Sequence, residues 1–177
     1  MRRPATLISL AATLSLVLTL LMASTTLSVG PVQNFVTPLS GAEEVPPRAT
    51  LARGLAKFQL NAAGTELSFI LIAANIDNVI FAHIHAPAAT GFNANPVVFL
   101  LQDQGTGGGP HNGVLATGTI RAGDLIGVFA GSTSLAPLIA AIESGQAYVN
   151  VHTNDGVAPT NTGPGDFPGG EIRGQIR

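Results

Sequence analysis

Cysteine is absent from this 177-residue chain, and charged and aromatic side chains are scarce. Without cysteine, the chain cannot build a thiolate nucleophile, a thiolate metal site or a disulfide, so the fold depends on its core alone. Charged residues make up 10% of the chain, the net charge is −2, and no basic stripe is present. A nucleic-acid partner therefore has no electrostatic support.

Sequence motifs of common enzymes are missing as well. The chain contains no G-x-S-x-G elbow and no H-E-x-x-H helix motif. The glycine-rich segment 105–113 lacks the lysine and the following helix of a phosphate loop. Glu43 and Glu44 are adjacent, and neighbouring side chains on an extended chain point apart, so they do not form an acid–base pair. We therefore expect no enzyme, with a metal-dependent redox activity as the alternative.

The N-terminus carries the pattern of a secretory signal peptide. A basic start, Met1 to Arg3, precedes an apolar run over residues 7–23 that ends in small residues. We expect residues 1–23 to be removed, with cleavage between 23 and 30. The mature protein would be extracytoplasmic, secreted or periplasmic, without a stable membrane span.

After the leader, we expect an exposed lead-in over residues 24–38 and one domain over residues 39–177. Within that domain, short segments of alternating apolar and polar residues are separated by glycine and proline turns, a pattern typical of strands. Apolar residues at helical spacing over 135–142 predict one short helix. The predicted fold is all-β, an antiparallel sandwich or barrel of immunoglobulin-like or superoxide-dismutase-like form.

Three of the four histidines are candidate metal ligands. In FAHIHAP, residues 81–87, His83 and His85 lie two apart, so on a strand they share one face. His152 lies in QAYVNVHT, residues 146–153, on the same face as Tyr148 and Asn150. If the two strands pair, the three imidazoles converge into a candidate copper or zinc site.

The copper–zinc superoxide dismutases offer an analogy, since they place a His-x-His pair on a strand of a β-barrel. Another ligand could complete the site here, and the spacing does not select among the following: Asp77, His111, Asp155 and Asp166. The alternative is a structural cluster, in which the imidazoles bind backbone carbonyls or carboxylates. His111, in the glycine-rich segment, is expected to be solvated.

An ion pair is predicted near the end of the sequence. Glu171 and Arg173 share one strand face, and we expect them to pair with each other or across strands with Arg48.

Four segments together resemble the CHRD domain, which is named for chordin. They are LSGAEEVPP, AHIHAP, QAYVNVHT and GGEIRGQI, in that order, and the resemblance spans about residues 33–177. It implies an extracytoplasmic antiparallel β-sandwich-like domain. In the animal protein the domain belongs to a secreted antagonist of growth factors, whereas bacterial members have no established activity. The loop over residues 154–168 is longer here than in the tightest form of the motif.

We therefore expect an exported, non-catalytic module with a binding or structural role, its partner an extracellular or envelope protein. The alternative is an extracytoplasmic copper- or zinc-binding protein that uses His83, His85 and His152.

Overall fold

A computed structural model describes residues 30–177; the predicted leader lies outside them. The described part contains eight strands and one α-helix, and every paired strand is antiparallel. The strands are β1 (Gln33–Ser40), β2 (Arg53–Leu60), β3 (Leu67–Asp77), β4 (Val79–His85), β5 (Pro96–Leu101), β6 (Pro110–Ile120), β7 (Tyr148–Thr153) and β8 (Ile172–Gln175), and the helix is α1 (Ala136–Glu143). The predicted all-β antiparallel fold with one short helix is confirmed.

The strands form one sheet in the order β5-β4-β7-β8-β1-β2-β3-β6. The end strands β5 and β6 also contact each other, so the sheet curls into a nearly closed barrel. Its inner face is a continuous apolar core, which includes the fully buried Leu71, Ile84, Val149 and Ile172. Within residues 30–177, no helix has the length and apolar character needed to cross a membrane.

The exposed lead-in predicted over residues 24–38 is wrong from residue 33 onward. Gln33–Ser40 forms β1 and pairs with β2 along its whole length, with Phe35 and Thr37 buried. Pro38 obscured the signal, because a proline inside a strand indicates an edge. Here β1 has only one ladder pair on its other side, Ser40 with Arg173, so the missing N–H is tolerated.

The outer face of β4, β7 and β8 is buried as well as the inner face. Every residue of β7 and β8 is buried, although alternate residues on them are polar. Residues 86–95 and 154–170 cross this face and hydrogen-bond to its side chains. The barrel therefore encloses a polar layer between its outer surface and these loops.

We predict that Gly174→Ala strongly destabilises the fold. A Cβ at residue 174 would strike the backbone oxygen of Pro38 and the hydroxyl of Thr37, and the backbone cannot yield as a flexible side chain does. We expect a loss of about 3 kcal/mol or more in the free energy of unfolding. Gly108→Ala is the matched control, since a Cβ there meets nothing within 4 Å. Urea unfolding curves that shift equally for both variants would contradict this account of the β1–β8 contact.

Candidate metal centre

The pairing of β4 with β7 brings the three predicted ligands together. In the register of this pair, Phe81 lies opposite His152, His83 opposite Asn150, and His85 opposite Tyr148. Directly opposed residues of two strands project to the same face. The condition set by the sequence, that the two strands pair, is therefore met.

One ring nitrogen from each of His83, His85 and His152 lies within 4.8 Å of the others. In the present arrangement Nδ1 of His83 lies 3.1 Å from Nε2 of His152, a hydrogen-bond distance. A zinc or copper ion with metal–nitrogen bonds of about 2.0 Å needs donor atoms roughly 3.3–3.5 Å apart. Small side-chain movements would therefore convert this arrangement into a coordination sphere.

Two loop carbonyls determine which nitrogens carry protons. Nδ1 of His85 lies 2.9 Å from the oxygen of Ala94, and Nδ1 of His152 lies 2.9 Å from the oxygen of Pro168. A carbonyl oxygen only accepts, so each Nδ1 carries the hydrogen and each Nε2 keeps its lone pair. This carbonyl–histidine arrangement is the usual support of a metal ligand, because it orients the ring and raises its basicity.

The position of the proton on His83 follows from the proton positions on His85 and His152. Nε2 of His152 is an acceptor, so Nδ1 of His83 donates to it. Nε2 of His83 and Nε2 of His85 are then left buried without a hydrogen-bond partner among the described residues. Two unpaired buried acceptors in one cluster are unusual in a folded protein and call for a ligand.

Electrostatics keep the cluster neutral. Burial, reinforced by the neighbouring imidazoles of His152 and His85, lowers the pKa of His83 to about 3. Burial lowers the pKa of His85 to about 4 against the opposing effect of the Ala94 hydrogen bond. Burial also lowers the pKa of His152. At neutral pH all three imidazoles are therefore in the form that binds a metal.

Aromatic side chains restrict the movement of the imidazoles. Tyr148 stacks on His85, with ring centroids 4.8 Å apart and planes 4° from parallel. Phe99 meets His83 edge-on, at 4.6 Å between centroids. The guanidinium of Arg173 lies over the ring of Tyr148, 3.4 Å from its centroid.

Arg173 also holds the loop that supplies a carbonyl to the site. Its guanidinium donates to the oxygen of Phe92 at 2.8 Å and to Oδ1 of Asn93 at 3.0 Å. The next residue is Ala94, whose N–H donates to the hydroxyl of Tyr148 at 3.1 Å. The position of the Ala94 carbonyl therefore depends on Arg173 and Tyr148.

The predicted pairing of Glu171 with Arg173 or Arg48 is wrong. Both oxygens of the buried Glu171 are occupied, Oε1 by the hydroxyl of Thr50 and Oε2 by that of Thr153 and the N–H of Gly165. In residues 30–177 the ion pair present is Arg121 with Glu66, on the surface. Glu171 anchors loops to the sheet, because hydroxyl and amide donors satisfy it without a second buried charge.

The two adjacent glutamates point apart, as expected: Glu43 is exposed and Glu44 is buried. Sequence analysis did not find the environment of Glu44. Burial raises its pKa to about 7 despite the nearby charges of Arg173 and Arg48, and its Oε1 is buried without a partner. Glu44 and Asn150 lie on the same side of Gly170, since a Cβ added to that glycine would meet both side chains.

The remaining candidate ligands lie outside the cluster. In residues 30–177, the ligand atoms that gather with the three imidazoles include no carboxylate and no fourth histidine. Asp77, Asp155, Asp166 and His111 are therefore not brought to the site. His111 was expected to be solvated in a loop, but it lies on β6 and is partly buried.

We predict that the stability of the metal-free protein rises with pH between about 4 and 6.5. The unfolded chain protonates histidine near pH 6.5, whereas folded His85 protonates near pH 4, so the unfolded state binds more protons in that interval. The stabilisation is complete above pH 6.5 and is lost as the pH falls, by up to about 3 kcal/mol for His85.

Chemical denaturation at a series of pH values tests this. Glu44 acts with the opposite sign, since its raised pKa favours the folded state below pH 4.5 and this contribution is lost toward pH 7. The measurement is therefore made in a Glu44→Gln background. His85→Phe should reduce the slope. A slope that His85→Phe does not alter would show that His85 titrates normally in the folded protein.

The comparison with family models agrees with the fold and with the segments that build the site. The model of the CHRD domain matches residues 35–176, which include all eight strands apart from the first two residues of β1. No curated protein matches the sequence. The match covers nearly all of the described chain and contains FAHIHAP, NVHT and GGEIRG in their places on β4, β7 and β8. The chain belongs to the CHRD-domain family.

Proposed function

We propose that this CHRD domain binds one copper or zinc ion through His83, His85 and His152. The proposal rests on the arrangement of the cluster, whose imidazoles are already neutral, oriented and partly without hydrogen-bond partners. Three neutral imidazoles share one face of the β4–β7 pair, and two of them are oriented by loop carbonyls. Two of their ring nitrogens are buried without partners in the described structure. A hydrogen-bonded structural cluster would satisfy those atoms, and this one does not.

The donor set supports copper or zinc over harder ions. All three ligands are imidazole nitrogens, which suit zinc and copper, whereas calcium, magnesium and manganese favour carboxylate and carbonyl oxygens. The carbonyls of Ala94 and Pro168 accept from the imidazoles, so they belong to the outer shell of the proposed site.

We propose a role in binding or structure without catalysis. The unpartnered ring nitrogens of His83 and His85 have almost no exposed surface, and the three side chains are 6–8% exposed. A catalytic metal needs a coordination position that a substrate can reach. Burial of this kind supports a bound ion that stays in place. A redox enzyme is the alternative, and it would require the covering loops to open.

A protein partner is a second candidate function, favoured by apolar side chains exposed on the segments around the polar layer. Leu51, Phe92 and Val157 are 80%, 68% and 64% exposed, and Phe92 and Val157 lie on the two loops that cover the histidines. Exposed apolar residues on covering loops suit the surface of an extracellular or envelope protein.

We predict that the purified protein binds one equivalent of zinc or copper and that binding is lost in both His83→Ala and His152→Ala. Each substitution removes one of three ligands, so affinity should fall by at least about 100-fold. Competition against a chromophoric chelator measures it. His111→Ala is the matched control and should bind as the wild type does. Equal binding by all four proteins would assign the metal to another site, and no binding would make the histidines structural.

The proton balance gives the same experiment a second readout. The imidazoles are already neutral, so ion binding displaces no protons from them near neutral pH. Affinity should therefore change little between pH 6.5 and 8. An exposed cluster with ordinary histidine pKa values would instead bind more weakly below pH 7.

We also propose that the protein is exported and acts as a secreted or periplasmic module. The basic start and the apolar run over residues 7–23 support this, together with the family resemblance. Fractionation of expressing cells followed by N-terminal sequencing should find a mature chain that begins between residues 24 and 31. An uncleaved chain in the cytoplasm would contradict the proposal. Replacing leucines of the run with charged residues is the control that should block export.

A further inference from the structure

Resting on the proposed function, we infer that the His83–His85–His152 centre is built for a monovalent copper ion, Cu(I), in preference to the divalent ions Zn(II) and Cu(II). Two independent features of the described residues lead to this inference. The first is the number of ligands that the site offers, and the second is the charge placed behind it.

The cluster offers three donors and shields them from water. In residues 30–177 no carboxylate or fourth histidine joins the three imidazoles, and the sequence of that part contains no cysteine or methionine. Nε2 of His83 and Nε2 of His85 each expose less than 1 Å² to solvent. Zinc in proteins is almost always four-coordinate, so it would need water or another ligand to enter this enclosure. A d¹⁰ monovalent ion is satisfied by three nitrogens in a plane.

Aromatic rings form much of the wall of the site. Phe81 and Phe99 flank His83, at 5.6 and 4.6 Å between ring centroids, and Tyr148 covers His85. The hydroxyl of Tyr148 is engaged with the backbone of Ala94, so it is held away from the imidazoles. A metal-bound water would therefore lie against aromatic rings without an acceptor from Tyr148. The polar group beside the imidazoles is Asn150, which lies opposite His83 on β7 and whose Oδ1 is buried without a partner among the described residues. The aromatic part of the enclosure favours an ion that needs no water.

The charge behind the site is positive. The guanidinium of Arg173 lies 3.4 Å from the centroid of Tyr148, and that centroid lies 4.8 Å from the centroid of His85, so the charge is within about 8 Å of the ligand ring. Arg173 is itself only 2% exposed, so solvent screens it poorly. At a distance of about 10 Å and an effective dielectric constant near 20, repulsion from Arg173 lowers the affinity of the site roughly tenfold for each unit of positive charge on the ion. Arg173 therefore lowers the affinity for a divalent ion about tenfold more than it lowers the affinity for a monovalent ion.

Other ionisable groups lie near Arg173 as well, and those that act on it are Tyr148, Glu44 and Glu43. Glu43 is exposed, so solvent screens its charge. Burial raises the pKa of Glu44 to about 7, so at neutral pH its carboxyl is ionised only in part. Of these groups, the buried one that carries a full charge is Arg173, whose guanidinium lies against Tyr148 behind His85.

The test compares Cu(I) with Zn(II) and Cu(II) on the same protein. Cu(I) is titrated anaerobically with ascorbate against a chromophoric Cu(I) chelator, and the divalent ions are titrated against chelators of their own. We expect one Cu(I) per chain, bound at least about tenfold more tightly than Zn(II). X-ray absorption of the copper-loaded protein should show three nitrogen neighbours. Zinc binding of equal or greater affinity, or four light ligands on copper, would overturn the inference while leaving the proposed metal site intact.

Two variants separate charge from geometry. Arg173→Met removes the charge and should reduce the preference for Cu(I) over Zn(II) by about tenfold, whereas Arg173→Lys keeps the charge and should preserve the preference. Equal loss of preference in both variants would overturn the electrostatic part. The wild-type affinities and the absorption spectrum decide the inference even if both variants fold poorly. If no ion of either charge binds, the proposed function itself fails.

Discussion

The register between β4 and β7 is the constraint on which the rest of the site depends. On the inner face, Ala82 lies opposite Val151 and Ile84 opposite Val149, and all four are completely buried. A slip of one residue would turn these apolar side chains outward and the polar ones into the core, so the core itself enforces the register. The histidines meet on the outer face as a consequence. Hydrophobic packing on one side of the sheet thus determines the chemistry on the other.

Burial of the outer face creates a second requirement, since polar groups out of water need partners. The covering loops meet it mostly with backbone atoms. Ala94 and Pro168 supply carbonyl oxygens to His85 and His152, and the N–H of Gly165 serves Glu171. Each of these bonds attaches a loop to the sheet and also fixes the state of a buried side chain. The loops therefore belong to the site as much as the strands that carry the imidazoles.

The sequence allowed the fold class and the convergence of His83, His85 and His152 to be predicted, because both follow from alternation along a strand. In β7, the period of two separates Tyr148, Asn150 and His152 from the apolar residues of the core. The strand β1 was missed because Pro38 interrupts its ladder signal. The partners of Glu171 and Arg173 were also missed. Opposite charges two residues apart suggested an ion pair. Glu171 is instead bound by two hydroxyls and one backbone N–H, and Arg173 by the backbone oxygen of Phe92 and the side-chain oxygen of Asn93, which are 80 or more residues away from it.

The carbonyls that orient His85 and His152 had no sequence signal at all. Every residue has a backbone oxygen, so Ala94 and Pro168 carry nothing in their residue type that marks the role. A loop between two strands can be recognised from composition, whereas the path that places one of its carbonyls 2.9 Å from a ring nitrogen depends on tertiary packing. Arg173 and Tyr148 determine that path for Ala94, and both are far from it in sequence.

The metal-free cluster opposes folding, and this connects stability to metal binding. Two ring nitrogens are buried without partners in the described structure, and each such group costs about 1–3 kcal/mol. An ion that binds only the folded chain stabilises it by RT ln(1 + [L]/Kd), about 2.7 kcal/mol at a hundredfold excess over Kd. The two free energies are comparable, so a bound ion would offset the stability that the fold loses by burying these nitrogens without partners. A site that is merely structural has no such compensation, because its unpaired atoms would weaken the fold under every condition. The imidazoles of His83 and His85 share this unpaired state with Oε1 of Glu44 and Oδ1 of Asn150, but only the imidazoles could recover the cost by binding the proposed ion.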